Sequence, residues 1–196
     1  KRDELVAKTF QEDTNFTICL VLDVSASMGY EGKRASCSKL RYASMLAACF
    51  AYIANRQGDR LGFFAYSDDV KEWIRPNSGS GQLNRVFSAL HGLKAEGVNA
   101  HDFAWERMVT GLPGRGMVVF LSDFLEAEDS LAEQLRFSLS SRYECLCLQV
   151  LDADEVDLPD GDALRFAELE GEREVSTSPP AIQEKYKTDM SRFIEN

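Results

Sequence analysis

Ile18-Cys19-Leu20-Val21-Leu22 is an unbroken apolar run of strand length that stops abruptly at Asp23, and no other feature constrains the fold of this chain as tightly. A strand with one solvated face alternates apolar and polar residues. A run without alternation has both faces covered, as in the middle of a parallel sheet with helices above and below. Leu61-Gly62-Phe63-Phe64-Ala65-Tyr66 and Met117-Val118-Val119-Phe120-Leu121 are two more such runs, ended by Ser67-Asp68-Asp69 and Ser122-Asp123. Between the first two, Leu40, Ala43, Leu46, Ala47, Phe50, Ala51 and Ala54 recur at helical spacing over Lys39 to Asn55, and Gly58 is placed to end the helix.

The remaining segments extend the same alternation. After the turn at Ser67-Asp68-Asp69, Val70 to Ile74 reads as an antiparallel edge strand, and Pro76 to Gly81 as a loop. Helical patterns follow near Gln82 to Leu90, Phe103 to Leu112 and Leu131 to Leu139, and Glu144 to Leu151 is a further strand. The acidic stretch Asp152 to Asp162 is expected to be a solvated loop. Beyond it, Leu164 to Glu168 and Glu172 to Ser176 form a hairpin through Glu170-Gly171, and a last helix after Pro180 carries Ile182, Tyr186, Met190 and Phe193 on one face. The expected fold is α/β: a doubly wound, mostly parallel central sheet with one antiparallel edge strand and helices on both faces, a three-layer Rossmann-like arrangement. One domain spanning 1–196 is expected, with its core over about 10–151 and the hairpin and helix over about 163–196.

Composition narrows the function. Thirty-two acidic against 22 basic residues give a net charge of -10, which repels the phosphate backbone that nucleic-acid binders neutralise, and anionic membrane likewise. No apolar run approaches the about 20 residues a membrane-spanning helix needs, so direct membrane insertion of this segment is not expected. The chain starts at Lys1 with no initiator Met and no signal-like segment, which points to a piece of a longer protein. The five cysteines, Cys19, Cys37, Cys49, Cys145 and Cys147, include no CxxC pair of the kind that holds zinc. They are expected to be small buried hydrophobes in a reducing cytoplasm, with Cys145 and Cys147, at alternate strand positions, pointing to opposite faces.

In an open parallel sheet, ligands bind outside the carboxyl ends of the strands, where Asp23-Val24-Ser25-Ala26-Ser27, Ser67-Asp68-Asp69 and Ser122-Asp123 fall. These clusters offer oxygen and neither His nor Cys. Hard cations such as Mg2+ or Mn2+ take oxygen ligands at octahedral corners, which suits two neighbouring hydroxyls with carboxylates behind them. Hydroxyl ligands leave most of the cation's charge uncancelled, so it would accept a further anionic ligand such as an Asp or Glu offered by a protein partner.

At these residues the chain resembles the von Willebrand factor type A (vWA) domain and its metal-ion-dependent adhesion site (MIDAS). The likeness lies in Leu22-Asp23-Val24-Ser25-Ala26-Ser27-Met28 after the first strand and Leu121-Ser122-Asp123-Phe124 after a later one. More narrowly, Phe10-x-x-x-Thr14-Asn15, Arg56-Gln57-Gly58-Asp59-Arg60 and Leu121-Ser122-Asp123-Phe124 resemble a bacterial family, domain of unknown function 58, that often accompanies MoxR-type AAA+ ATPases. The resemblance covers about Phe10 to Leu151. It implies Ser25 and Ser27 as direct ligands of Mg2+ or Mn2+, with Asp23 and Asp123 acting through water and hydrogen bonds to the ligand hydroxyls. The expected location is cytoplasmic, within a larger protein that is either cytoplasmic or membrane-tethered. Glu96-Gly97-Val98-Asn99 departs from the family's Gly-Gly-Thr pattern. Val98 stands where a third hydroxyl ligand is expected, weakening the site and leaving Asn99 or water to fill the corner.

Other readings remain beside this one. His101 and Asp102 read as a helix start, Asp68 and Asp69 as a turn, and Lys33, Arg34 and Lys39 as a solvated basic patch or a rim that steers an acidic partner. A haloacid dehalogenase-like phosphatase also has an Asp after its first strand, but needs a second Asp two residues on, where this chain has Ser25. A serine hydrolase would need glycines around Val24-Ser25-Ala26 and a placed histidine, which neither His91 nor His101 provides. The expected function is a non-enzymatic protein-interaction module acting with a MoxR-type ATPase in complex assembly, with a metal-free interaction domain on the same scaffold as the alternative.

Overall fold

The computed structural model describes residues 16–100, 107–108, 110–125, 142–158, 164–167, 174–177 and 179–195. The Phe10, Thr14 and Asn15 pattern, His101 and Asp102 with most of the 103–112 helix, the 131–139 helix and the Glu170-Gly171 turn lie outside the described residues.

The first apolar run becomes β1, Phe16–Asp23, buried along its length after the first residue. Because successive side chains leave a strand on opposite faces, Ile18, Leu20 and Leu22 enter one core and Cys19 and Val21 the other. β2 (Arg60–Tyr66) and β4 (Arg115–Ser122) flank β1 in parallel, β5 (Tyr143–Gln149) continues parallel beyond β4, and β3 (Val70–Asn77) is the antiparallel edge. The order is β3-β2-β1-β4-β5. The chain winds outward from β1 to β2 and β3, then returns past β1 to β4 and β5. Its winding therefore reverses between β1 and β4, and the gap at their carboxyl ends is the place where such a sheet presents a site.

Helix α1 (Lys39–Gln57) opens on Ser38, whose side chain accepts from Arg41 N at 3.3 Å, and closes on Gly58 at φ 80. That left-handed angle costs an L side chain about 1 kcal/mol, which explains glycine at the end of this helix. Ala43, Ala47, Ala51 and Ala54 form its fully buried stripe, small enough to lie close against the sheet. Helix α2 (Ser80–Gly92) packs on α1 and adds Val86 and Leu90 to the same core. The other face gathers Phe64, Tyr66, Met108, Val118 and Phe120. Removing a large buried side chain from either layer should cost about 2–5 kcal/mol.

Three expectations need correction. β3 runs on through Pro76 to Asn77, where a loop was expected, because an edge strand tolerates a residue without an N–H. Only Cys19 is fully buried: Cys37 is half-buried, and Cys49, Cys145 and Cys147 are exposed. The thiols of Cys145 and Cys147 lie 3.7 Å apart; residues two apart on a strand share a face, so these side chains converge instead of diverging. The third correction concerns the acidic stretch, whose start is built structure. Ala153–Val156 is one helical turn, α3, with a complete capping box between Asp152 and Glu155, and Asp152 and Asp154 are buried.

The hairpin is present as β6 (Leu164–Ala167) and β7 (Glu174–Thr177), paired from Leu164↔Thr177 to Ala167↔Glu174. Helix α4 spans Pro179–Glu195, with Tyr186, Met190 and Phe193 half-buried on one face. Tyr186 Oη donates to the Glu155 carbonyl at 2.5 Å, tying α4 to α3. Among the described residues, no helix is long and apolar enough to cross a membrane.

Candidate functional site

The two strand ends at the winding reversal bring Asp23, Ser25 and Ser27 to Ser122 and Asp123. Asp23 closes β1 and has no exposed surface. Its Oδ1 accepts from Ser25 N at 2.9 Å, and its Oδ2 accepts from Ser122 Oγ at 2.6 Å and from Asn99 Nδ2 at 2.5 Å. Burial pushes its carboxyl up to about 6, opposed by the hydrogen bonds from Ser122 and Ser25 that favour the ionised form. Ser25 leads into a 3-10 turn, Ala26–Gly29, which brings its hydroxyl to 3.1 Å from that of Ser27. Ser27 Oγ in turn donates to Asp123 Oδ2 at 2.8 Å.

Asp123 is nearly as buried as Asp23. Its Oδ1 accepts from Leu125 N at 3.2 Å and its main-chain carbonyl from Gln149 Nε2 at 3.1 Å. The next residue, Phe124, sits at φ 55, a left-handed angle unusual for a side chain of this size. Two contacts hold it there: its N–H donates to Ser122 Oγ at 3.0 Å, and its ring stands edge-on to Phe120 at 5.2 Å. Such local strain is tolerated where surrounding contacts fix the backbone, a common property of binding loops.

The third loop approaches through its backbone. Ala26 N donates to the Gly97 carbonyl at 2.9 Å, and Glu96 N to the Val24 carbonyl at 2.9 Å. Gly97 has φ 82 and lies so close to Ser67 and Asp68 that a Cβ there would stand 2.6 Å from Asp68 Oδ1. The loop therefore presents Asn99 to Asp23, as the sequence left open, while the Val98 side chain is 47% exposed. Asp68 and Asp69 are turn residues: Asp68 accepts from Ser67 Oγ and Lys71 Nζ, and Asp69 from Val70 N.

Of the expected solvated basic patch, the Lys33 side chain is exposed, whereas Arg34 and Lys39 are tied into ion pairs. Lys39 is 3% exposed, and its Nζ donates to Asp123 Oδ2 at 2.8 Å and to Glu155 Oε1 at 2.6 Å. Arg34 Nε donates to Asp154 Oδ1 at 2.5 Å, and its Nη2 donates to the carbonyls of Ala153 and Asp157. Gly32 N and Lys33 N donate to the carboxylates of Asp152 and Asp154 at 2.9 and 3.0 Å. Carboxylates of α3 and its cap thus satisfy the amides and cations of the loop that follows the serines, and neither Arg34 nor Lys39 forms a free rim. A signal for Lys39 was present in its register: it precedes Ala43 and Ala47 by four and eight residues on the stripe that enters the core. Ser122 was visible as a hydroxyl next to Asp123, and its bond to Asp23 follows from the pairing of β1 with β4.

These residues fit a small hard cation in part. Adjacent corners of an octahedron with bonds of about 2.1 Å lie about 3.0 Å apart, close to the 3.1 Å between Ser25 Oγ and Ser27 Oγ. The carboxylates of Asp23 and Asp123 stand behind those hydroxyls, and Asn99 meets Asp23 through its amide nitrogen. Against the fit, the Lys39 ammonium already neutralises Asp123.

Comparison with known proteins places the chain in a family. A family described as "Protein of unknown function DUF58" matches residues 1–194. The chain is 29% identical over 194 residues to uncharacterized protein Rv1480 of Mycobacterium tuberculosis and uncharacterized protein Mb1516 of Mycobacterium bovis. The match covers 93% of this chain and 60% of each relative, so the chain spans under two thirds of their length. Among solved structures, it is similar to an aerotolerance-related membrane protein from Bacteroides fragilis, with a TM-score of 0.61 and 17% identity over 90% of this chain and 88% of the other. It is also similar to BatB from Bacteroides thetaiotaomicron, with a TM-score of 0.59 and 13% identity over 90% and 87%. At these identities the likeness speaks for the fold alone.

Proposed function

The chain belongs to the DUF58 family of proteins of unknown function and has a vWA-like fold, and on that footing we propose that it is a non-enzymatic module that binds a protein partner through its MIDAS-like site. Ser25 and Ser27 would hold Mg2+ or Mn2+ directly, with Asp23 and Asp123 behind them. The cation would supply positive charge for an Asp or Glu of the partner. The observation that carries this reading is the 3.1 Å pair of hydroxyls backed by two buried carboxylates at the winding reversal. Asp23 supports the non-enzymatic part: it is fully buried, and its oxygens are engaged by Ser25, Ser122 and Asn99, which leaves it poorly placed as a nucleophile. The family resemblance makes a MoxR-type AAA+ ATPase the first partner to try and the cytoplasm its place of action.

A second reading is favoured by Lys39 and Val98. An ammonium on Asp123 and no hydroxyl at position 98 suit a vWA-like surface that binds its partner without metal. Titration calorimetry of chelator-treated protein with Mg2+ and then Mn2+, beside an Asp23→Ala control, separates the two. Saturable binding lost in Asp23→Ala supports the metal-bridged module. No binding, together with partner association that survives chelation, supports the metal-free one.

A further inference from the structure

A second cluster lies away from the oxygen site, on β5. Cys145 and Cys147 leave the sheet on one side, in register with Val118 and Phe120 of β4. Both are exposed, and among the described residues β5 is an edge of the sheet, so the two thiols stand at its rim. Their sulfurs are 3.7 Å apart and share a hydrogen bond. That bond holds the Cys147 thiol below its ordinary range and raises Cys145.

Two thiols at this spacing have two chemistries open to them. A disulfide needs its sulfurs about 2.05 Å apart and its Cα atoms about 4.4–6.8 Å apart. Residues two apart on a strand have Cα atoms about 6.6 Å apart, at the far limit of that range. The tighter demand is on the Cβ atoms, which a disulfide holds about 3.5–4.5 Å apart and which same-face neighbours on a flat strand hold about as far apart as their Cα atoms. Closing the bond would therefore mean buckling β5, which is paired with β4 at seven successive positions from Tyr143 to Gln149. Metal ligation asks for no such movement. Two thiolates bound at about 2.3 Å to a tetrahedral centre stand about 3.8 Å apart, which is within 0.1 Å or so of the observed separation.

We propose that Cys145 and Cys147 form a bidentate dithiolate site for a soft, thiophilic cation of the zinc, cadmium and copper(I) class. Thiolates select such ions, whereas the hydroxyls and carboxylates at Asp23, Ser25 and Ser27 select hard ones. Among the described residues no group of three or more His, Cys, Asp or Glu is placed to hold a metal, so the two thiolates are the protein ligands proposed here and water can fill the other corners of the coordination shell. Binding of a divalent ion by the two thiols releases two protons to solvent, so uptake weakens as pH falls.

The test uses the reduced chain, treated with chelator and then freed of it, titrated with Cd2+ with and without excess Mg2+ and read by ultraviolet thiolate-to-metal charge transfer and by native mass. The expected result is one Cd2+ per chain, with a band that saturates at one equivalent in the presence of excess Mg2+. Cys37→Ser combined with Cys49→Ser should keep that band, and Cys145→Ser and Cys147→Ser should each lose it. Both latter positions are exposed, and an unchanged thermal transition in those variants confirms that loss of the band is not loss of fold. A band that persists in Cys147→Ser, no saturable uptake, or air oxidation of the wild type to a Cys145–Cys147 disulfide in place of uptake would each overturn the proposal.

Discussion

Replacing Lys39 by Met removes one positive charge from the interior while keeping the volume of the stem. The ammonium stands 2.8 Å from Asp123 Oδ2 and 2.6 Å from Glu155 Oε1, with the Lys39 and Asp123 side chains 2% and 3% exposed and that of Glu155 18% exposed. Removing one partner of a buried pair leaves the other charge uncompensated, at about 3–5 kcal/mol. Here the lower end applies: Asp123 keeps donors in Ser27 Oγ and Leu125 N, and Glu155 is exposed enough to rehydrate. A loss of about 3 kcal/mol in chelator corresponds to a fall in Tm of roughly 6–12 °C for a domain of this size. The neighbour coupled most strongly should be Asp123, so adding Asp123→Asn to Lys39→Met should cost well under the sum of the two single losses. Mg2+ should also stabilise Lys39→Met more than the wild type, because a cation can then take over the role of the ammonium. Urea unfolding with and without Mg2+ measures all three quantities. A loss under about 1 kcal/mol, or strictly additive single variants, would refute the view that this lysine neutralises the site.

Two further outcomes follow from the same site. In chelator, ionising the buried Asp23 opposes folding. Its native value is raised to about 6 from 3.8, so between those values the native state holds the proton that the unfolded chain has lost, and stability falls as pH rises from about 4 to 6; Asp23→Asn should remove this component from a urea-denaturation pH series, and an unchanged slope would count against it. Val98→Thr should strengthen Mg2+ binding by roughly tenfold, about 1.4 kcal/mol, in calorimetry; unchanged affinity would show that position 98 does not reach the cation and that Asn99 is the loop's contribution.

The fold was legible because its strands are buried on both sides. β1, β2 and β4 read as apolar runs regardless of their neighbours, and α1 declared its boundaries through Ser38 and Gly58. Asp23, Ser25, Ser27 and Asp123 were legible for a related reason: each lies at or just beyond the carboxyl end of a recognisable strand. Pairing across long separations was much harder to read. Lys39 and Glu155 are 116 residues apart in the chain, and no local pattern announces that the one will neutralise the other. The acidic stretch misled in the same way, since Asp152 and Asp154 read as solvent-loving until the amides of Gly32 and Lys33 are seen to need them. With the cysteines the error lay in counting strand parity, which the sequence itself could have corrected.

The one-turn helix after β5 bears on where this domain can be cut. A fragment ending at Val150 would keep all five strands of the main sheet and every hydroxyl and carboxylate of the candidate site at Asp23, Ser25, Ser27, Ser122 and Asp123. It would lose Asp152, Asp154 and Glu155, stripping acceptors from the amides of Gly32 and Lys33, from the Arg34 guanidinium and from the buried Lys39 ammonium. An alignment-style boundary drawn at the last strand would therefore produce a fragment complete in its motif but with its key loop unanchored. Expression trials should keep the chain at least through Leu158, the buried residue that follows this turn.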